Sequence, residues 1–136
     1  MRKPITPFAH GVLDYTTTAA VAAAPRLLNF PRRAAMACYA LAGGYAGLSA
    51  VTDYPLAARR MVPFKAHGMA EAVVGAALPA LPWMLGFSKN TVARNFFLGM
   101  AVMTAMVALM TDWNKDSERE ARRSHRRKPR VIRKAA

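Results

Sequence analysis

The sequence has little cysteine and few acidic residues, and both shortages restrict what the protein can be. A single cysteine, Cys38, in 136 residues excludes an internal disulfide framework and a cysteine-based zinc site. Lys and Arg total 20 against 7 Asp and Glu, which gives a formal net charge of +13. Such a charge is typical of nucleic-acid binders, yet 54% of the residues are hydrophobic and lie in long runs. A soluble domain of this length would need more polar surface than those runs leave.

Four long apolar stretches predict four membrane-spanning helices. Residues 34–51 carry no charge and are long enough to cross a bilayer core of about 30 Å. Residues 66–87 and 96–113 are nearly as apolar, and residues 8–25 form the weakest stretch. The connections are short and mostly marked by proline, which favours antiparallel neighbours. We therefore predict an all-α fold, a four-helix transmembrane bundle within residues 1–113.

An internal repeat groups the four stretches into two helical hairpins. Residues 10–30 align with residues 67–87 at an offset of 57, and the second helices align at an offset of 59. The expected architecture is two tandem hairpins, over about residues 8–54 and 65–113, related by a pseudo-two-fold axis along the membrane normal. The main matched positions are His10 with His67, Gly11 with Gly68, Asp14 with Glu71, and Thr52-Asp53-Tyr54 with Thr111-Asp112-Trp113.

This repeat resembles the SPW-repeat membrane proteins of bacteria, in which a Ser-Pro-Trp motif lies in the first helix of each hairpin. The corresponding triplets here are Ala24-Pro25-Arg26 and Leu81-Pro82-Trp83, and the second is followed by Gly86-Phe87. The resemblance covers roughly residues 8–113. It implies a small multi-pass protein of the bacterial inner membrane, of a family without an assigned activity.

The basic residues predict the orientation in the membrane and the partners of the tail. With four spans, both termini and the loop 53–66 share one side, which carries 15 Lys and Arg against 5 on the other. The positive-inside rule places the richer side in the cytoplasm. Residues 114–136 are expected to form a partly disordered cytoplasmic tail that is attracted to anionic lipid head groups. Nucleic acid is disfavoured because the tail has no aromatic residue for base stacking, and a second copy or another membrane protein is left open as a partner.

All four acidic residues before the tail fall at repeat-matched positions, as do both histidines of that region. In each repeat the histidine precedes an acid by four residues, which puts the two side chains on one helical face. A further acid ends the partner helix on the same side of the membrane. We therefore expect six side chains to form one buried polar cluster at the cytoplasmic end of the bundle. They are His10, Asp14, Asp53, His67, Glu71 and Asp112.

This cluster is compatible with three functions. The expected one is structural: the polar groups bond to one another between helices, and the protein is a structural or accessory membrane component. The alternatives are a pathway for protons, ions or small solutes, because acids within spans often line such routes, and a metal site built from histidines and carboxylates. The sequence contains no catalytic motif, so it predicts no enzyme and assigns no catalytic, cofactor-binding or metal-binding residue.

Overall fold

A computed structural model describes residues 3–113, and this part of the chain is mostly helical, with no β-strand. The all-α class expected from the sequence is therefore confirmed. The basic tail, residues 114–136, lies outside the described residues, so the expectations for it stay predictions. The helices, in chain order, are α1 (Pro7–Leu27), α2 (Arg32–Val51), α3 (Phe64–Ala77), α4 (Leu81–Met84) and α5 (Thr91–Met110).

Two of these helices, α2 and α5, are long and apolar enough to cross a membrane. The helix α1 has 21 residues, but its polar residues, among them His10, Asp14 and three consecutive threonines, make it less apolar. The helix α3 has only 14 residues. Length and composition alone therefore identify two spans and not the four that the sequence predicts.

The stretch predicted at residues 66–87 is not a continuous helix. It is divided into α3 and α4 at Pro79, because proline has no N–H to donate and its ring excludes the preceding helical turn. The repeat-matched residue in α1 is Ala22, and α1 runs through that position without a break.

The last stretch, predicted at 96–113, begins earlier in the structure than in the sequence prediction. The helix α5 begins at Thr91, and the Asn90 side chain caps it by accepting a hydrogen bond from the Ala93 N–H at 2.8 Å.

Backbone hydrogen bonds at the ends of α2 and α5 follow the internal repeat. The segment before α1 is bonded to the end of α5, and the segment before α3 is bonded to the end of α2. These backbone hydrogen bonds thus connect the two repeats at the end of the bundle where α1 and α3 begin. The four bonds are Ile5 N–H to Met110 O (3.1 Å), Asp112 N–H to Ile5 O (2.9 Å), Val62 N–H to Val51 O (2.9 Å) and Asp53 N–H to Val62 O (2.7 Å).

The apolar core lies toward the opposite end of the bundle. There α1 packs along α2, and α3 and α4 pack against α5. The buried side chains include Val21, Phe30, Cys38, Leu78 and Phe97. This packing leaves the polar ends of α1 and α3 facing each other at the other end of the molecule.

Candidate functional site

Four of the six side chains expected in a polar cluster meet at one buried point between the repeats. His10 and Asp14 come from α1, and His67 and Glu71 come from α3. Each offers one ligand atom, and these four atoms lie within 4.8 Å of one another. Both histidines are 0% exposed and both acids are 6% exposed. Each repeat therefore contributes one imidazole and one carboxylate to a shared site.

The imidazole Nε2 atoms face the carboxylates without forming ordinary hydrogen bonds. His10 Nε2 lies 3.3 Å from Asp14 Oδ1 and 3.2 Å from Glu71 Oε2. His67 Nε2 lies 3.4 Å from Asp14 Oδ2 and 3.7 Å from Glu71 Oε1. A hydrogen bond between a charged nitrogen and a carboxylate is shorter, about 2.7–2.9 Å. Among the described residues neither Nε2 has a hydrogen-bond partner of acceptable geometry.

Two repeat-matched threonines orient the imidazole rings. Thr111 Oγ1 lies 2.9 Å from Nδ1 of His10, and Thr52 Oγ1 lies 2.7 Å from Nδ1 of His67. Each threonine hydroxyl donates its one hydrogen to the backbone carbonyl four residues earlier, at 2.6 and 2.7 Å. The hydroxyl can then only accept from the ring, so the N–H is assigned to Nδ1. A neutral imidazole in this tautomer directs its Nε2 lone pair at the carboxylates.

The two carboxylates are held differently. Asp14 Oδ2 accepts hydrogen bonds from the hydroxyls of Ser49 and Tyr54, both at 3.3 Å. The repeat-matched positions near Glu71 are an alanine and Trp113, and the Trp113 indole N–H donates instead to a backbone carbonyl at 2.9 Å. The Glu71 side chain is one methylene longer than that of Asp14, and its carboxylate lies in the same group of four ligand atoms. The site is therefore symmetric in its ligand atoms and asymmetric in its supporting contacts.

Aromatic rings close the site at the end of the bundle. The Phe64 ring lies edge-on to His10 at 5.3 Å between centroids, and the Trp113 ring lies 4.7 Å from Phe64 and 5.0 Å from His10. Tyr54 is fully buried beside Phe64. Burial raises the pKa of the Tyr54 phenol well above its usual range, so the hydroxyl keeps its hydrogen and donates to Asp14. These rings cover the polar site at the end of the bundle where α1 and α3 begin.

Asp53 and Asp112 lie outside the group of four. Asp53 Oδ1 is 3.7 Å from the Nε of Arg60, and the Asp53 side chain is 30% exposed. The site is instead supported by the residue that precedes each acid, Thr52 and Thr111, within the repeated Thr-Asp-aromatic triplets. The repeat alignment had marked these threonines as matched, and that was the signal that could have identified them.

Comparison of the chain with protein-family models, with curated proteins and with solved structures finds no match to any of the three. The resemblance to SPW-repeat proteins therefore stays a prediction. The function has to be argued from the geometry of the site.

Proposed function

We propose that this protein is a four-span membrane protein whose two repeats together bind one divalent transition-metal ion. The ligands would be His10, Asp14, His67 and Glu71. The observation that carries the proposal is the convergence of two imidazole Nε2 atoms and two carboxylates on one buried point, where neither Nε2 makes a hydrogen bond of acceptable geometry. Two carboxylates buried without a cation are costly, and one metal ion would satisfy all four groups.

The distances support a metal-sized centre. A tetrahedral ion with bonds of about 2.0–2.1 Å holds its ligand atoms roughly 3.3–3.4 Å apart. The imidazole-to-carboxylate distances run from 3.2 to 3.7 Å and involve both oxygens of each carboxylate. With one ligand atom taken from each residue, the four atoms lie within 4.8 Å of one another, so binding one ion would draw them closer together. A set of two nitrogens and two oxygens without sulfur favours zinc, iron or manganese over copper(I). The Nδ1 contacts to Thr52 and Thr111 are the outer contacts that metal-bound histidines need to keep one tautomer and one ring orientation.

The membrane placement is supported by the outer surface. Only 22% of the apolar window of α2 and 17% of that of α5 are buried within the protein. Large apolar side chains are exposed elsewhere too, with Met69 at 72% and Val73 at 71% on α3. The internal repeat relates α1 to α3 and α4, and α2 to α5, so the four segments should share one environment. The positive-inside count then puts the metal site at the cytoplasmic end of the bundle.

The metal content of the purified protein tests this proposal. The full chain is purified in detergent without metal-affinity steps or chelators, and bound metals are counted by plasma mass spectrometry. We expect about one divalent ion per chain, which a chelator removes and added Zn²⁺ restores. His10→Gln and Glu71→Gln each remove one ligand and should lower the affinity for Zn²⁺ by more than about tenfold.

A matched control is Asp53→Asn, which removes an acid at the same end of the bundle but outside the group of four. It should keep the wild-type metal content. Helical content and monodispersity are recorded for every variant, so that loss of metal is compared only among folded proteins. Folded wild-type protein that takes up no metal would contradict the proposal. It would favour the structural alternative, in which the histidines and carboxylates bond directly to one another between helices.

A further inference from the structure

A small internal cavity lies beside the carboxylates of the group of four, toward the middle of the bundle. Helices α1, α2, α3 and α5 all contribute to its lining, and its volume is about 30 Å³. Asp14 and Glu71 line one end. The other end is lined by Val21 and Met100, which belong to the apolar core. The cavity therefore lies between the polar site and the core, where the two repeats meet.

Both repeats supply matched polar side chains to this cavity. Asp14 of the first repeat corresponds to Glu71 of the second, and Tyr45 corresponds to Thr104 at the offset of 59. The Tyr45 hydroxyl lies beside Thr104, across the interface between the repeats. Each repeat thus places one carboxylate and at least one hydroxyl around the same small space.

Three polar atoms of the lining residues are buried and make no hydrogen bond of acceptable geometry within the described part of the chain. They are the hydroxyl oxygens of Thr18 and Tyr45 and Oε2 of Glu71. The Thr16 hydroxyl, by contrast, donates to carbonyls of its own helix. Buried polar groups nearly always have a partner, which is either protein or ordered water. Two donors and one acceptor at this cavity therefore indicate a partner inside it.

Glu71 lacks the contacts that hold Asp14. The hydroxyls of Ser49 and Tyr54 donate to Asp14 Oδ2, whereas Oε2 of Glu71 accepts no hydrogen bond of acceptable geometry from the described residues. Carboxylates that bind a metal are usually hydrogen-bonded in turn to a second group. A donor in the cavity would give Glu71 the support that Asp14 receives from side chains.

The size and the chemistry of the cavity both fit water. A cavity needs about 10–15 Å³ to hold one water molecule, so a volume of about 30 Å³ has room for two. Water accepts hydrogen bonds from hydroxyl groups and donates to carboxylates, which matches the donors and the acceptor on the wall. An organic ligand would need a larger space, since small-molecule pockets measure about 300–1,000 Å³.

We propose that the cavity holds two ordered water molecules that link the hydroxyls of Thr18 and Tyr45 to the carboxylate of Glu71. The hydroxyls donate to water, and water donates to Glu71 Oε2. The waters thereby take the place that Ser49 and Tyr54 have beside Asp14. The water site itself does not require a metal, but its role as the outer support of a metal-binding carboxylate rests on the function proposed above.

Radiolytic labelling in a bilayer tests the water site. The full chain in phosphatidylcholine nanodiscs receives millisecond X-ray pulses, which form hydroxyl radicals from water, and the oxidised side chains are mapped by mass spectrometry. We expect several-fold faster oxidation of Tyr45 than of Tyr39, and of Met100 than of Met106. Tyr39 and Met106 are 43% and 56% exposed, but they face acyl chains in the proposed placement, whereas Met100 is only 7% exposed. Tyr45 and Met100 oxidised no faster than these residues would overturn the proposal.

Two variants test which groups hold the water. Tyr45→Phe and Thr18→Val each remove a hydroxyl and keep the shape of the side chain, so the fold should be retained. Each should slow the oxidation of Met100 several-fold, because a cavity with fewer polar partners holds water less well. Tyr39→Phe is the matched control, since Tyr39 does not line the cavity, and helical content is recorded for all variants. Unchanged oxidation of Met100 in both variants would contradict the assignment of the waters to these hydroxyls.

The affinity for Zn²⁺ is measured on the same variants. Tyr45→Phe should weaken it by about tenfold, because an outer contact of a ligand is lost. Unchanged affinity with slower oxidation of Met100 would overturn the role of the waters as support for Glu71. The expected oxidation in protein that takes up no metal overturns the metal site alone, whereas metal uptake with no oxidation inside the cavity overturns this inference alone.

Discussion

Thr52 and Thr111 set the direction of both histidines, although neither threonine belongs to the group of four. Their hydroxyls lie 2.7 and 2.9 Å from the Nδ1 atoms of His67 and His10. Without these contacts each imidazole could flip or change its tautomer, and its Nε2 lone pair would no longer be held toward the carboxylates.

We therefore expect Thr52→Val and Thr111→Val to weaken Zn²⁺ binding by about 10- to 100-fold each. Valine keeps the shape of the side chain and removes only the hydroxyl. The affinity is measured in detergent by competition with a chelating dye. Thr16→Val is the control, since the Thr16 hydroxyl donates to carbonyls of its own helix, at 2.9 and 3.0 Å. Equal affinities in all three variants would show that the threonines have no part in metal binding.

The sequence predicted the four residues of the site, but it did not predict the threonine contacts that orient the two histidines. The spacing of His10 and Asp14 and its recurrence in α3 identify one face of each helix, and this depends only on helical geometry. Which residue of the Thr52-Asp53 pair points inward depends on where α2 ends relative to α3. Both residues follow the last residue of α2, and the backbone of Thr52 is extended. Successive side chains of an extended segment point to opposite sides, so a shift of one residue at the helix end decides between them.

Two glycines allow the helices to approach the aromatic residues that close the site. A Cβ on Gly11 would overlap the Tyr54 ring, and a Cβ on Gly68 would lie 2.6 Å from Cζ3 of Trp113. Each glycine directly follows a histidine of the site. In each His-Gly pair the histidine is therefore a candidate ligand, and the glycine leaves room for the aromatic ring of Tyr54 or Trp113 beside it.

Gly11→Ala and Gly68→Ala should each destabilise the protein by roughly 1–3 kcal/mol, because the added methyl forces the ring out of place. The higher helix propensity of alanine acts in the opposite direction and by itself would stabilise the variant by up to about 1 kcal/mol. Thermal unfolding in detergent, followed by circular dichroism, measures the change. Gly43→Ala is the matched control, since a Cβ there meets nothing within 4 Å, and it should be neutral or stabilising. A Gly11→Ala protein as stable as wild type would contradict the observed packing.

Apolar stretches in the sequence locate the helices but not their breaks. Residues 72–87 of the third stretch are apolar throughout, yet α3 ends at Ala77 and α4 begins at Leu81. The cause is the missing N–H of Pro79, a property of the backbone to which hydropathy is insensitive. The same limit applies to α5, whose start is fixed by the Asn90 cap.

For the whole molecule, the internal repeat is what produces the site. One repeat supplies a histidine and a carboxylate, which is half of the group of four, and His10 contacts Glu71 and Thr111 of the other repeat. The alignment predicted which residues correspond. It could not predict that α1 and α3 bring their four ligand atoms within 4.8 Å of one another, because that distance is set by the packing of the two hairpins.

X-ray absorption at the metal edge of the Zn²⁺-loaded full chain tests the shared metal site most directly. We expect a first shell of four nitrogen and oxygen atoms at about 2.0–2.1 Å, with outer-shell scattering from two imidazole rings. His67→Gln should reduce the imidazole contribution by half, since each repeat supplies one ring. A shell with no imidazole scattering, or one that His67→Gln leaves unchanged, would contradict a metal centre formed by both repeats.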